Sequence, residues 1–168
     1  MKRAKMIAYV AIGIALYVCL SMTAKIPVIG HIGLDLGYIA LAVYCARFGA
    51  ISGSIVGSVG CTAVSMLAYG WFPPGWALGN AVIGAMCGKL YRNGKTGANI
   101  VVTVLAVFIG VACIKTAVEC AMFEIPLAVK FPKNFVAFIM DAVTMSVGVM
   151  ISESLERKKM QSLHDDFT

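Results

Sequence analysis

Two oppositely charged side chains lie within a long apolar stretch of this chain. Lys115 and Glu119 are four residues apart in GVACIKTAVECAMFEIP, residues 110–126. That spacing places both side chains on the same face of a helix. A charged side chain at the centre of a bilayer costs roughly 3 kcal/mol on insertion scales, so such residues usually mark an ion pair or a polar site. An ammonium and a carboxylate on one helix face therefore predict either a buried ion pair or a polar binding site.

Further polar and aromatic residues are expected close to this pair. Counting about 1.5 Å per residue from the outer ends of the predicted spans gives depths of roughly 12 Å for Lys115, 6 Å for Glu119, 10 Å for Asp141 and 6 Å for Asn80. The four residues belong to three different predicted helices and share the outer half of the membrane. Aromatic side chains in the adjoining loops could stack on a flat ring or cover a cavity; they are Trp71, Phe72, Trp76 and Phe131.

These charges have two interpretations. In the first, Lys115 and Asp141 form a buried ion pair that only holds two helices together. In the second, Trp71, Trp76, Asn80, Lys115, Glu119 and Asp141 line a water-accessible pocket that binds a polar ligand. The number of polar groups favours the pocket, and so do the external Lys130 and Lys133, which oppose the charge bias of the rest of the chain. Such a pocket suits a zwitterion or a heterocycle with hydrogen-bond donors and acceptors.

The elements that position these residues are predicted to be membrane-spanning helices. Of the 168 residues, 60% are hydrophobic and only 13% are charged, against about 25% charged in soluble domains. The mean hydropathy is +0.88. We therefore predict an all-α, polytopic membrane protein with one domain, residues 1–168. Its six spans are expected at about 6–22, 36–46, 49–69, 76–90, 98–123 and 135–152.

The distribution of Lys and Arg predicts the orientation. With both termini in the cytoplasm, ten of the fourteen basic residues fall inside, three fall outside and Lys115 lies within the membrane. This agrees with the positive-inside rule. The net charge of +6 then follows from topology and from attraction to anionic membrane lipid, and no nucleic-acid partner is expected. The ten cytoplasmic residues are Lys2, Arg3, Lys5, Arg47, Lys89, Arg92, Lys95, Arg157, Lys158 and Lys159.

Enzymatic and metal-dependent functions find little support. The only histidines are His31, in a predicted external loop, and His164, in the tail. His31 with Asp35 would make an incomplete metal site. Asp141 is the only aspartate within a span. The six cysteines lie in apolar segments without a C-x-x-C motif, which is typical of buried thiols. We expect no metal, no cofactor, and no ATP binding through a Walker-type motif.

Small residues recur at helical spacing in three spans. Gly49, Gly53 and Gly57 follow at intervals of four, and Gly84 and Gly88 repeat the interval in the next span. This spacing lets helix backbones approach closely in lipid, so we predict packing inside the bundle. The first span carries a comparable stripe that could face another protein instead; it consists of Ala4, Ala8, Ala11 and Ala15.

The order of these features resembles the substrate-binding S component of energy-coupling factor (ECF) vitamin transporters, in particular the riboflavin-type branch. The resemblance rests on an alanine-rich basic first span, on IPVIGHIGLDLGYIALAVYCARFGAISGSIVGSVG and on YGWFPPGWALGNAVIGAMCGKLY. These segments give a proline-bearing external loop, a short second span, an F-G-x-x-x-G entry to the third, an aromatic turn and G-N-x-x-x-G in the fourth. The match covers residues 1–92 well, and the remainder by span layout.

The resemblance implies a six-helix protein of the bacterial plasma membrane that captures a vitamin-like molecule at its outer face. Riboflavin, or a related heterocycle such as a pyridine, pyrimidine or queuosine precursor, is the implied ligand. Transport would require docking on a membrane coupling (T) subunit driven by two ATPase subunits. In the family an A-x-x-x-A stripe on the first helix meets the coupling subunit, and Ala11 and Ala15, with Ala4 and Ala8 before them, match it. The alternative is a small stand-alone secondary transporter or channel that acts as an oligomer.

Overall fold

The helices of this protein form one bundle beside a short β-hairpin. The computed structural model describes residues 3–23, 25–29 and 32–165. Helix α1 spans Arg3–Thr23, and strands β1 (Lys25–Ile29) and β2 (Ile32–Asp35) follow it. The remaining elements are α2 (Gly37–Tyr69), α3 (Pro74–Leu90), α4 (Thr96–Val107), a π-helix (Phe108–Lys115), α5 (Thr116–Phe123) and α6 (Leu127–Asp165).

The hairpin replaces part of the loop that was expected after the first span. The two strands pair antiparallel, with Lys25 opposite Asp35, and the register shifts between Pro27 and Ile29. Asp35 Oδ1 accepts hydrogen bonds from Ser21 Oγ at 2.6 Å and from the Gly37 amide at 2.9 Å. This carboxylate therefore ties the hairpin to the end of α1 and to the start of α2. His31 lies outside the described residues.

Helix α2 contains both the second and the third predicted spans. Gly49 interrupts it with φ 76° and ψ −168°, a backbone conformation that side chains with a Cβ rarely adopt. The break falls at the first residue of the predicted segment 49–69, directly after the predicted segment 36–46. One glycine therefore divides α2 into two helical parts.

The glycine repeat packs α2 against α3, as its spacing predicts. A Cβ added to Gly84 would lie 2.3 Å from the carbonyl carbon of Gly53, and one added to Gly88 would lie 2.4 Å from that of Gly49. A Cβ on Gly57 would lie 2.8 Å from the Asn80 oxygen. Backbone thus rests on backbone along this crossing, and no side chain larger than hydrogen fits.

Helix α6 begins earlier than the sequence indicates. The segment 124–134 was expected to be a loop because it contains Pro126 and Pro132, yet α6 starts at Leu127 and includes Pro132. The Pro126 carbonyl accepts the first hydrogen bonds of the helix, from Val129 and Lys130 at 3.0 and 3.2 Å. The loop prediction is therefore wrong for most of this segment, since Pro126 precedes the helix and the turns around Pro132 remain helical.

Four helices in the described part of the chain are long and apolar enough to cross a membrane, judged by length and composition. They are Ala4–Thr23, Gly37–Tyr69, Thr96–Phe123 and Leu127–Ser162. The third of these is continuous through α4, the π-helix and α5. Helix α3, with 17 residues, is shorter than these four. A polytopic all-α membrane fold therefore agrees with the sequence prediction.

Candidate functional site

A cavity of about 460 Å³ opens between the helices at the end of the bundle near the hairpin. Its volume lies within the range of about 300–1,000 Å³ that is typical of small-molecule sites. Three helices line it through regularly spaced positions. Lys115, Glu119 and Phe123 follow at intervals of four along the π-helix and α5; Lys130, Asn134, Ala137 and Asp141 follow along α6; Cys61, Ser65 and Tyr69 follow along α2.

A buried polar network forms one wall of the cavity. Lys115 Nζ lies 3.4 Å from Glu119 Oε1, and Lys130 Nζ lies 3.3 Å from Glu119 Oε2. Asn134 Oδ1 accepts a hydrogen bond from Lys115, and Asn134 Nδ2 donates to Thr116 Oγ1 and Glu119 Oε2 at 3.0 and 3.1 Å. The Glu119 carboxylate therefore interacts with two lysine ammonium groups and one amide, and the network links α5 to α6.

Lys115 also contacts an aromatic ring. Its Nζ lies 4.2 Å from the centroid of the Trp76 ring, a cation–π contact. Gly75, the neighbour of Trp76, makes this approach possible: a Cβ there would lie 3.1 Å from the Lys115 oxygen and 3.2 Å from Glu119 Cγ. The start of α3 is thus pressed against the turn that carries the charged pair.

The mouth of the cavity is aromatic and its floor is polar. Trp71 and Phe123 meet at the mouth with ring centroids 6.2 Å apart and planes at 80°, and both side chains are about half exposed. At the floor, Tyr17, Tyr38, Cys61 and Asp141 are buried. The Tyr38 hydroxyl makes no hydrogen bond of normal geometry with the residues that the structure describes.

The structure brings most of the predicted site residues together. Trp71, Trp76, Lys115, Glu119 and Asp141 all line the cavity. Asn80 does not lie on its wall: the side chain is completely buried one turn from Trp76, and its Nδ2 donates to the Trp76 carbonyl oxygen at 3.0 Å. Ligand binding by these lining residues remains a prediction.

Several lining residues were not predicted from the sequence. Asn134 is the most important, because it bonds to both members of the charged pair and to Thr116. The sequence does contain a signal for Asn134, because this polar residue follows Lys133 directly and lies at the start of an apolar span. Tyr17 and Tyr38 gave no such signal, since a tyrosine in an apolar helix is common. The sequence indicates Asp35 only as part of an incomplete metal site, and the described residues hold no cluster of metal-ligating side chains.

The alanine stripe of α1 lies away from the cavity and from the bundle. Ala4, Ala8, Ala11 and Ala15 are all exposed. The opposite side of α1 packs against α2: a Cβ on Gly13 would lie 2.6 Å from the Tyr44 ring, and Tyr17 fills the space beside Gly60. Helix α1 therefore has a packed face and a separate face of small residues.

Comparisons with known proteins agree with one another. Residues 1–157 match the family model described as ECF-type riboflavin transporter, S component. The chain is 24% identical to the UPF0397 protein of Streptococcus agalactiae, over 96% of this chain and 97% of that protein. It is 23% identical to the UPF0397 protein of Streptococcus thermophilus, over 82% and 81%. In fold it is similar to the S component for biotin from an ECF-type ABC transporter, with a TM-score of 0.69, 18% identity and 93% of each chain covered.

Proposed function

Because the chain belongs to the family of ECF-type riboflavin transporter S components, we propose that it captures a vitamin-like small molecule in the cavity described above and passes it to an ECF coupling subunit with two ATPases. Members of the family are substrate-binding subunits of transporters, so this membrane protein acts in transport and is not an enzyme. The specific ligand and the coupling partners are the proposed part.

One observation carries the proposal. The cavity joins charged, hydrogen-bonding and aromatic side chains in a protein whose remaining surface is largely apolar. Small-molecule sites combine apolar walls with a few well-placed polar groups in this way. A purely structural ion pair would not need an open volume beside Lys115 and Glu119, nor aromatic rings at its mouth.

The proposed topology has six spans. They are α1, the two halves of α2 on either side of Gly49, α3, the continuous helix 96–123, and α6. With the cavity open to the outside, the lysine-rich start of α6 is external and its charged end is cytoplasmic. Both termini are then cytoplasmic in the bacterial plasma membrane, as the distribution of Lys and Arg predicts.

The proposed docking surface for the coupling subunit is the alanine stripe of α1, Ala4, Ala8, Ala11 and Ala15. Its exposure supports this role, because small residues allow a second helix to approach closely in lipid. The packed face of α1 is occupied by its contacts with α2, so a partner can use the stripe without disturbing the cavity.

The test separates capture from transport. The purified protein in nanodiscs should retain or bind a small molecule, identified by mass spectrometry of the extracted complex. In proteoliposomes the same molecule should enter only when the coupling subunit and the ATPases are reconstituted as well. A stand-alone transporter, the alternative function, would move the ligand without partners. Absence of any bound small molecule would contradict the capture function.

A further inference from the structure

The part of the cavity wall where α5 meets the start of α6 carries more lysines than carboxylates. Lys115, Lys130 and Lys133 line the cavity there, with Glu119 as the carboxylate among them. Glu119 Oε1 lies 3.4 Å from Lys115 Nζ, and Glu119 Oε2 lies 3.3 Å from Lys130 Nζ. One negative charge is therefore shared by two ammonium groups, and Lys133 adds a third positive charge.

The other two carboxylates of the cavity do not neutralise Lys133. Asp35 accepts hydrogen bonds from Ser21 Oγ and from the Gly37 amide, and Asp141 has an interaction of its own within the protein. Asp141 lies eight residues beyond Lys133 on α6, about 12 Å along the helix axis. Among the residues that the structure describes, no acidic side chain forms an ion pair with Lys133.

Lys130 and Lys133, the mouth lysines, keep hydrogen-bond donors that Glu119 alone cannot occupy. An ammonium group has three N–H donors and no acceptor. The Lys130 side chain pairs with Glu119 and is still 20% accessible, and Lys133 is exposed. The two lysines are three residues apart on α6, a spacing that places both side chains on one helix face. A single acidic group at the mouth can therefore accept hydrogen bonds from both.

Membrane topology does not account for the mouth lysines. In the proposed orientation they are external, whereas basic residues are concentrated on the cytoplasmic side and anionic lipid attracts them there. Both lysines line the cavity instead. Their position is explained if they interact with what enters it.

Aromatic surface lies beside the mouth lysines. Trp71 and Phe123 meet there with ring centroids 6.2 Å apart, and Trp76 lies further in, under the Lys115 ammonium. An ionised carboxylate or phosphate is costly to bury, so it is best placed at the accessible end of the cavity. This arrangement suits a molecule whose ring is enclosed and whose acidic substituent stays at the mouth.

We propose that the captured molecule carries an acidic group, a carboxylate or a phosphate, which binds between Lys130 and Lys133 while the rest of the molecule occupies the cavity. This inference rests on the proposed capture function and specifies its substrate class. The same positive charge attracts such a molecule from solution. Its association rate should therefore fall as salt is added, whereas the rate of a neutral analogue should not.

Pairs of probes that differ only in the acidic group test the proposal by isothermal titration in nanodiscs of zwitterionic lipid. Riboflavin 5′-phosphate is compared with riboflavin, pyridoxine 5′-phosphate with pyridoxine, and biotin with its primary amide. In every pair of which a member binds, the acidic member should bind roughly tenfold or more tightly, because hydrogen bonds to charged groups contribute this much. The phosphate pairs and the carboxylate pair distinguish the two acidic groups.

Variants assign the difference to the mouth. Lys133→Gln should remove most of it by weakening the acidic member alone, and Lys133→Arg should keep it. Lys158→Gln changes an exposed lysine at the other end of α6 and is the matched control, which should change nothing. Because Lys133 is exposed and unpaired among the described residues, its variants should keep the midpoint of thermal unfolding. If no probe binds, the amount of the copurifying molecule that is retained should fall in Lys133→Gln alone.

Neutral members that bind as tightly as the acidic ones would overturn the proposal, and so would binding or retention of the acidic molecule that Lys133→Gln does not change. A copurifying molecule without an acidic group would also overturn it and would leave the capture function standing. A protein that binds no probe and holds no small molecule would contradict the capture function as well.

Discussion

At the level of single residues, Glu119 is more important to the buried network than Lys115. Glu119 pairs with two lysines and accepts from Asn134, whereas Lys115 has a carboxylate, an amide oxygen and a ring as partners. Removing Lys115 leaves Glu119 with Lys130 and Asn134. Removing the carboxylate leaves two ammonium groups that repel one another, one of them almost fully buried.

We therefore expect Glu119→Gln to reduce the free energy of unfolding in detergent by about 3–5 kcal/mol, the usual result of removing one partner of a buried pair. Lys115→Met should reduce it by less. Arg47→Gln is the control, because its ion pair with Glu156 is partly exposed, with side chains 27% and 28% accessible, and should contribute only about 0–1 kcal/mol. Equal losses for Glu119→Gln and Lys115→Met would contradict this account of the network.

The site could be predicted in part from the sequence, for reasons visible in these residues. Lys115 and Glu119 were identifiable because charges in an apolar run are costly and the i, i+4 spacing gives their face. Lys130 could be assigned only to an external loop, since its pairing with Glu119 depends on α6 extending through Pro132. Asn134 was missed because an uncharged amide near a span end has little energetic cost, and its three partners come from another helix.

At the level of helices, the π-helix explains how one face can reach from the far end of the bundle to the cavity. Asn99, Thr103, Val107, Val111, Lys115 and Glu119 follow at intervals of four and are all buried. In an α-helix each such interval rotates the side chain by about 40°, so five intervals would turn the face away. The wider turns of Phe108–Lys115 counter this rotation. Thr116 Oγ1 donates a hydrogen bond to the Val111 carbonyl oxygen at 3.3 Å. The two residues are five positions apart, which is the spacing of a π-helical turn.

The sequence contains no simple signal for this element. A π-helix is rare and occurs mostly as single turns inside α-helices, and this one packs closely against α3. Gly110 provides that packing here, because a Cβ on Gly79 would lie 2.5 Å from the Gly110 oxygen. By contrast, the break at Gly49 falls where the sequence predicts the second span, 36–46, to have ended and the third, 49–69, to begin.

The crossing of α2 and α3 should be intolerant of any added side chain. Gly84→Ala places a methyl group where the Gly53 backbone lies, so the helices must separate and the packing between them is lost. Gly97→Ala is the matched control: it is a helical glycine with no atom within 4 Å of the added Cβ, and Ala is favoured over Gly in a helix by about 0.5–1 kcal/mol. Thermal unfolding in detergent should show a lower midpoint for the first variant and an unchanged or higher one for the second.

The two faces of α1 predict a separation of function. Ala11→Trp or Ala15→Trp should abolish uptake in the reconstituted complex and leave ligand affinity of the isolated protein unchanged, because the stripe is exposed and distant from the cavity. Leu16→Trp provides the control, since Leu16 is also exposed but outside the stripe. If ligand binding or folding were lost in the alanine variants, the stripe would belong to the bundle instead of to a docking surface.

At the level of the whole molecule, the continuity of α6 makes the topology testable at two positions. The helix runs from Leu127 to Asp165, about 58 Å at the usual rise, which exceeds the thickness of a bilayer. In a cysteine-free background, a cysteine at Lys133 should react with a membrane-impermeant maleimide in intact cells. A cysteine at Lys158 should react only after the membrane is permeabilised. Labelling of Lys158→Cys from outside would remove the six-span topology and the outward-facing cavity together.

The only two tryptophans of the chain, Trp71 and Trp76, both line the cavity, so all of the protein's indole fluorescence originates there. Trp76 lies under the Lys115 ammonium at 4.2 Å, and Trp71 lies at the half-exposed mouth. A ligand that enters should shift the emission of Trp71 to shorter wavelength as water leaves, and should change the intensity of Trp76 if it displaces the ammonium. Trp71→Phe and Trp76→Phe would separate the two signals, and a titration without any label would then report arrival at the mouth and contact with the interior as distinct optical events.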